Sequence, residues 1–144
     1  MRIGGHTIKA WSATQGVIAL SSGEAEYYGI VKGCSAGLGM QSILKDMGVH
    51  MKVQVLTESS AAKGIASRRG LGKVRHIEVN QLWVQEKVSD GSIDLIKISG
   101  DVNLADALTK YVSREALDRH MWSTGQHIEG GRHPIMLEAE CVQT

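Results

Sequence analysis

Ile18-Ala19-Leu20-Ser21-Ser22-Gly23-Glu24-Ala25-Glu26-Tyr27-Tyr28-Gly29-Ile30-Val31 is the stretch whose reading decides the fold. Two serines lead into residues with helical spacing, and Tyr27, Val31, Cys34 and Leu38 continue the apolar stripe at three- and four-residue steps. With successive residues about 100° apart around the axis, Glu24 lies roughly 50° from the centre of that stripe and Glu26 roughly 110° away on the other side. Glu24 therefore borders the buried face and Glu26 points toward water. Ser21-x-x-Glu24 also has the form of a capping box, in which each side chain satisfies amides at the helix start. Capping alone accounts for Glu24, so at this point the pattern leaves structural and chemical roles open.

Working outward, the helix is expected from Ser21 to about Lys45. Gly37 and Gly39, together with a phase shift of the apolar residues to Ile43, Leu44 and Met47, predict a kink or break near the glycines. On the N-terminal side, His6 to Ala13 alternates apolar and polar residues as a half-buried strand does. On the C-terminal side, Lys52 to Thr57 reads as a strand running into Glu58, followed by a short helix from Ser60 to Ser67. Arg68 to Arg75 is basic and punctuated by Gly70 and Gly72, hence a loop. A third helix is expected from His76 to Val88, a strand from Ile93 to Ile98, a loop from Ser99 to Asn103, and a further helix from Leu104 onward. The Gly- and His-rich stretch after Ser123 has no period. Strands alternating with helices predict a layered α/β domain with at least one parallel strand pair. In such sheets ligands gather beyond the carboxyl ends of strands, which is where Glu58 falls.

The bulk properties restrict the classes of function. The 144 residues suffice for one domain. With 16 Lys+Arg against 15 Asp+Glu, the chain as a whole is not drawn to polyanions, so any nucleic-acid site has to be a local patch. Cys34 and Cys141 are the only cysteines, which excludes a disulfide framework or zinc ribbon. His120, His127, His133 and Cys141 are spaced too irregularly for a common zinc finger. No apolar run approaches the length of a membrane span and no signal pattern opens the chain, so an intracellular protein, in cytoplasm or nucleus and without a membrane partner, is expected.

Each acidic residue has an ordinary explanation taken singly: Glu58 ends a strand, and Asp106 in Asn103-Leu104-Ala105-Asp106-Ala107-Leu108-Thr109-Lys110 complements a helix start. Taken together, ALSSGEAEYYGI, VLTESSAAKGIASRRGLGKVRHIEVNQLWVQEKV and LADALTK, in this order and spacing, resemble the ribonuclease H domain of copia-type LTR retrotransposon Pol polyproteins. The resemblance runs from about Gly4 to Val112. It implies a ribonuclease H-like mixed five-stranded sheet flanked by helices and cleavage of the RNA strand of an RNA–DNA hybrid. It also implies an upstream reverse transcriptase region of the same polyprotein as neighbour, and two Mg²⁺ (or Mn²⁺) ions held by acidic residues. A pair of such ions about 4 Å apart activates the attacking water and stabilises the departing oxygen. Carried over by position, the catalytic and metal-binding residues are Glu24, Glu58 and Asp106.

Two departures from the family pattern lead to an expectation of impaired or absent cleavage. Glu58 stands where the family has aspartate, adding roughly 1.5 Å of reach to a site that tolerates about 0.5 Å. The family's first, central strand, which carries a further aspartate, is expected to be missing ahead of His6. Residues 1–112 are accordingly read as an incomplete ribonuclease H-like domain and 113–144 as a C-terminal helix end and flexible tail. Asp46, Asp90, Asp94 and Asp101 fit turn and loop-end roles better than replacement ligands. Lys63, Arg68, Arg69, Lys73, Arg75 and His76 gather charge that suits hybrid phosphates, or equally a solvated loop. The alternative to a nuclease is a non-catalytic remnant that binds nucleic acid through this basic loop. Trp11, Tyr27, Tyr28 and Trp83 are read as packing rather than base-stacking residues.

Overall fold

The computed structural model describes residues 1–73, 77–106 and 111–126. The opening stretch does form a helix, α1 (Ser22–Asp46), with Ser21 as N-cap. Its buried residues Tyr27, Ile30, Val31 and Cys34 face the core while Glu26 is exposed. The expected kink does not occur: α1 is continuous through Gly37 and Gly39. Gly37 serves close packing instead, since a Cβ added there would lie 2.7 Å from Val53 Cγ1.

Val53 opens β3 (Val53–Thr57), which pairs in parallel with β4 (Ile93–Lys97) in the register Val53↔Ile93 to Thr57↔Lys97. This is the parallel pair that the alternation of elements predicts. The crossover between the two strands carries α2 (Ser60–Ala66), a 3₁₀ turn (Val79–Gln81) and α3 (Trp83–Ser89). The third helix is thus shorter than the expected His76–Val88, although it ends as expected at Asp90-Gly91. On β3 and β4 the residues Val53, Ile93 and Leu95 are buried toward α1, whereas Gln54, Leu56 and Ile96 on the other face are exposed. One cluster of Tyr27, Ile30, Val31, Cys34, Val53, Ala62, Ile65, Ala66, Ile77, Val84, Ile93 and Leu95 forms the core, with Leu38, Val55, Leu71, Leu82, Trp83 and Val88 packed around it. Each large apolar side chain removed from water there stabilises the fold by about 1.5–3 kcal/mol.

The N-terminal strand is much shorter than expected. A hairpin of β1 (Arg2–Ile3) and β2 (His6–Thr7) replaces a strand over His6 to Ala13. After Thr7 the backbone amides of Ile8 and Lys9 turn back to donate to the Met1 carbonyl at 3.0 and 3.3 Å, and Ile8 is half exposed, so its alternation buries nothing. At the start of the helix expected from Leu104 onward, Leu104 and Ala105 form a turn, and residues 107–110 of that helix lie outside the described residues; α4 (Arg114–Ser123), capped by Ser113, follows. Among the described residues the architecture is mixed α/β, with four α-helices and two two-stranded sheets. Among them, no helix is long and apolar enough to cross a membrane.

Candidate active site

Because β3 and β4 run parallel, both carboxyl ends open on one edge of the sheet. The pairing is extended there by Ile98, whose amide donates to the Thr57 carbonyl at 2.9 Å. Glu58 follows immediately, in a turn fixed on both sides. The Thr57 hydroxyl accepts from the Ser59 amide at 3.1 Å, and the Ser59 hydroxyl caps α2 by accepting from the Ala62 amide at 3.1 Å. From the other strand the chain leaves β4 into a 3₁₀ turn at Gly100–Val102. A Cβ placed on Gly100 would lie 2.9 Å from Glu58 Oε2 and 4.0 Å from Asp106 Oδ2. The Glu58 and Asp106 carboxylates therefore converge on the bare Cα of Gly100, a position where any side chain would press on Glu58. Asp106 is aimed by Asn103, whose side-chain amide donates to Asp106 Oδ1 at 3.2 Å while the Asn103 backbone carbonyl accepts from the Asp106 backbone amide at 3.1 Å.

Glu24 lies at the start of α1, only 3% exposed, as its place beside the apolar stripe predicts. The neighbouring Gly23 abuts Ala61 of α2, with an added Cβ 2.9 Å from Ala61 Cβ, so the starts of α1 and α2 lie side by side. The Glu24 carboxylate accepts from the Leu20 amide at 2.9 Å and the Ser21 hydroxyl at 3.1 Å, and the Ser21 hydroxyl accepts from the Glu24 amide at 3.3 Å. The capping reading thus describes part of what Glu24 does. Among the described residues no three His, Cys, Asp or Glu side chains are grouped to hold a metal ion. The acids whose convergence the structure displays are Glu58 and Asp106.

Of the basic residues, Arg75 and His76 lie outside the described residues, as do His127, His133 and Cys141 of the tail. Arg69 and Lys73 are exposed and Lys63 is half-buried on α2. Arg68 is folded into its own loop: it donates to the Leu71 carbonyl at 2.6 Å, and its guanidinium lies against Gly72, where an added Cβ would be 2.7 Å from Cζ. Gly72, at φ +59°, takes the left-handed conformation that this close approach uses.

Gln85 is a positioning residue that sequence reasoning passes over. It is buried, accepts from the Gly70 amide at 2.8 Å, and donates to the carbonyls of Ile65 at 2.8 Å and Gly70 at 3.0 Å, so α3 fastens the basic loop to α2. A signal was present, since an amide standing three residues before Val88 on an apolar helix face needs partners there. For Gly100 no such signal existed. A depression of about 420 Å³ lies beside the latch rather than at the acid pair, lined by Arg69, Gly70, Leu82, Gln85, Glu86, Ser89 and Asp90. Its Glu86 and Asp90 carboxylates offset Arg69, which makes it a poor phosphate pocket.

Other candidates fall into structural roles. Asp90 accepts from the Ser92 amide at 2.8 Å and pairs with Lys87 at 3.5 Å; the Ser92 hydrogen bonds hold its carboxyl below the usual range. Asp101 accepts from the Ser99 hydroxyl at 3.5 Å. Tyr27 and Tyr28 are buried, and Trp11 carries the Lys9 ammonium 5.5 Å from its ring centroid.

Comparison with known proteins shows similarity to retrovirus-related Pol polyproteins of plant transposons. The chain is 31% identical over 125 residues to that of transposon TNT 1-94 from Nicotiana tabacum, covering 85% of this chain and 9% of the relative. It is 28% and 27% identical over 117 residues to those of transposons RE2 and RE1 from Arabidopsis thaliana, in each case over 79% of this chain and 8% of the relative. It therefore spans less than a tenth of the length of these relatives. No protein-family model and no solved structure matches it.

Proposed function

We propose that this chain is a ribonuclease H-like region derived from a retrotransposon Pol polyprotein, and that it engages RNA–DNA hybrids at the carboxyl edge of its parallel strand pair. The observation that carries the reading is the convergence of Glu58 and Asp106 on Gly100, in a chain similar to Pol polyproteins over most of its length. Two carboxylates present only hard oxygen donors, the set that Mg²⁺ or Mn²⁺ takes, and their mutual repulsion is relieved by a cation between them. Glu58 and Asp106 would hold such an ion, which when bound supplies the charge neutralisation a phosphodiester needs near two acids. Asn103 orients Asp106 and the Ser59 cap fixes the turn that carries Glu58. Exposed Arg69 and Lys73 add sequence-independent attraction for the strand backbone.

Hydrolysis is impaired in this reading, because Glu58 is one methylene longer than the family's aspartate and Glu24 bonds to Leu20 and Ser21. The same bonds favour a second reading, a non-catalytic hybrid-binding remnant. Incubation of the chain with a labelled hybrid and Mg²⁺ or Mn²⁺ separates them. Slow, metal-dependent cutting is expected, accelerated at least tenfold by Glu58→Asp, little changed by Glu24→Gln, whose carboxylate is taken up by Leu20 and Ser21, and lost in Asp106→Asn. Binding without cutting in the wild type and in Glu58→Asp supports the remnant. Cutting that persists in Asp106→Asn removes the acid pair from the reaction.

A further inference from the structure

Lys97 is the last residue of β4 and lies on its inward row, after Ile93 and Leu95. Those two are buried, but the row outruns the core at Lys97, which is exposed. Its ammonium is not left to wander: it donates to the hydroxyl of Ser60, the first residue of α2. In register it stands beside Thr57, the residue before Glu58, and three residues before Gly100. A cation is therefore held on the rim where Glu58 and Asp106 meet, although a lone lysine at a strand end carries no motif.

A phosphodiester brought to two carboxylates is repelled by both, and a fixed cation beside them offsets that repulsion whether or not a metal is present. Resting on the nucleic-acid reading above, we infer that Lys97 is a phosphate-contacting positioning residue that seats a nucleic-acid backbone at the acidic rim, separately from the basic loop. The two contacts lie at opposite ends of α2: Lys97 bonds to its first residue, and Arg68 and Arg69 follow its C-cap, Ser67. Seven helical residues at 1.5 Å each span roughly 10 Å, and a strand in a duplex advances about 3.4 Å per phosphate. The two ends of α2 are thus far enough apart to meet separate phosphates of one strand. Ser60 keeps the lysine extended over the rim, which reduces the side-chain entropy lost on binding.

The test is a fluorescence titration of the full chain with a labelled RNA–DNA hybrid in EDTA, where no strand is cut, over a series of salt concentrations. Lys97→Ala is expected to weaken binding about five- to tenfold at low salt and to lower the slope of log K against log salt by about one, as loss of one phosphate contact does. Lys97→Arg should keep the slope. Lys97→Ala combined with Arg69→Ala should lower it by about two. Lys52→Ala removes another exposed charge just before β3, at the opposite end of the sheet, and should change nothing. If the wild type binds and Lys97→Ala binds with the same slope, the inference falls while the nucleic-acid reading stands. If Lys52→Ala has the same effect as Lys97→Ala, the effect is one of net charge and the inference falls again. A wild type that does not bind the hybrid overturns both.

Discussion

At the scale of single residues, Gln85 shows how one amide can fix a loop that has little apolar content of its own. Three backbone groups, the Ile65 carbonyl and both polar groups of Gly70, depend on it. A buried donor or acceptor left without a partner costs about 1–3 kcal/mol. Gln85→Leu keeps the apolar stem and removes all three bonds, so urea unfolding should show a loss of about 2–4 kcal/mol. Gln85→Glu keeps an acceptor for the Gly70 amide and removes both donors. Amide exchange should therefore accelerate at Gly70 in Gln85→Leu far more than in Gln85→Glu. Equal exchange in the two variants would show that the loop is held by Arg68 and Leu71 instead. The same residue marks a limit of sequence reading: the basic loop was legible from its charges and glycines, but its anchor was visible only as a polar residue on an apolar face.

At the scale of elements, the glycines of α1 separate into two kinds that the sequence presents as one. Gly37 and Gly39 together suggest a break, because both lower helix propensity. In the structure Gly37 meets Val53 of β3, whereas a Cβ on Gly39 would meet nothing within 4 Å. The helix stays continuous because burying the stripe from Tyr27 to Cys34 against β3 outweighs about 1 kcal/mol of propensity per glycine. Alanine should act with opposite signs at the two sites. Gly39→Ala should stabilise by about 0.5–1 kcal/mol. Gly37→Ala should destabilise by about 1–3 kcal/mol, since Val53 is β-branched and buried beside Ile93 and cannot retreat. In a double-mutant cycle read by urea unfolding, Val53→Ala should cost less on the Gly37→Ala background than on the wild type. Stabilisation at both glycines would mean that α1 and β3 are further apart than the structure has them.

For the whole molecule, what could be read ahead of the structure was whatever rests on local periodicity. The cap of α1, the strand before Glu58, the strand from Ile93 and the parallel crossover all follow from residues within a few positions of each other. The hairpin at Arg2–Thr7 and the turn at Leu104 were missed because alternation and propensity do not reveal whether a neighbouring strand or packing face exists. The convergence of Glu58 and Asp106 depends on the bare Cα of Gly100, a tertiary fact, and the tie of Glu24 to Leu20 could not be told from a catalytic role by spacing. The core has a consequence of its own for the response to pH. Burial pushes the Cys34 thiol from 9.0 up to about 11, and burial pushes the Tyr27 phenol from 10.0 up to about 12, its hydroxyl donating to the Gln81 carbonyl at 2.8 Å. Both groups hold their protons more tightly in the folded chain than in the unfolded one. Their contribution is complete below pH 9, and stability falls as pH rises, first through the thiol from 9 to 11 and then through the phenol from 10 to 12. The combined loss is on the order of a few kcal/mol. Urea unfolding followed by circular dichroism at pH 8, 9.5 and 11 should show the decline beginning above pH 9. Cys34→Ala should flatten the segment between pH 9 and 10, lessen the fall between 10 and 11 and leave the fall above 11 in place. An unchanged midpoint from pH 8 to 10.5 in the wild type would mean that water reaches Cys34, and that α1 does not seal the core as tightly as its contacts with β3 indicate.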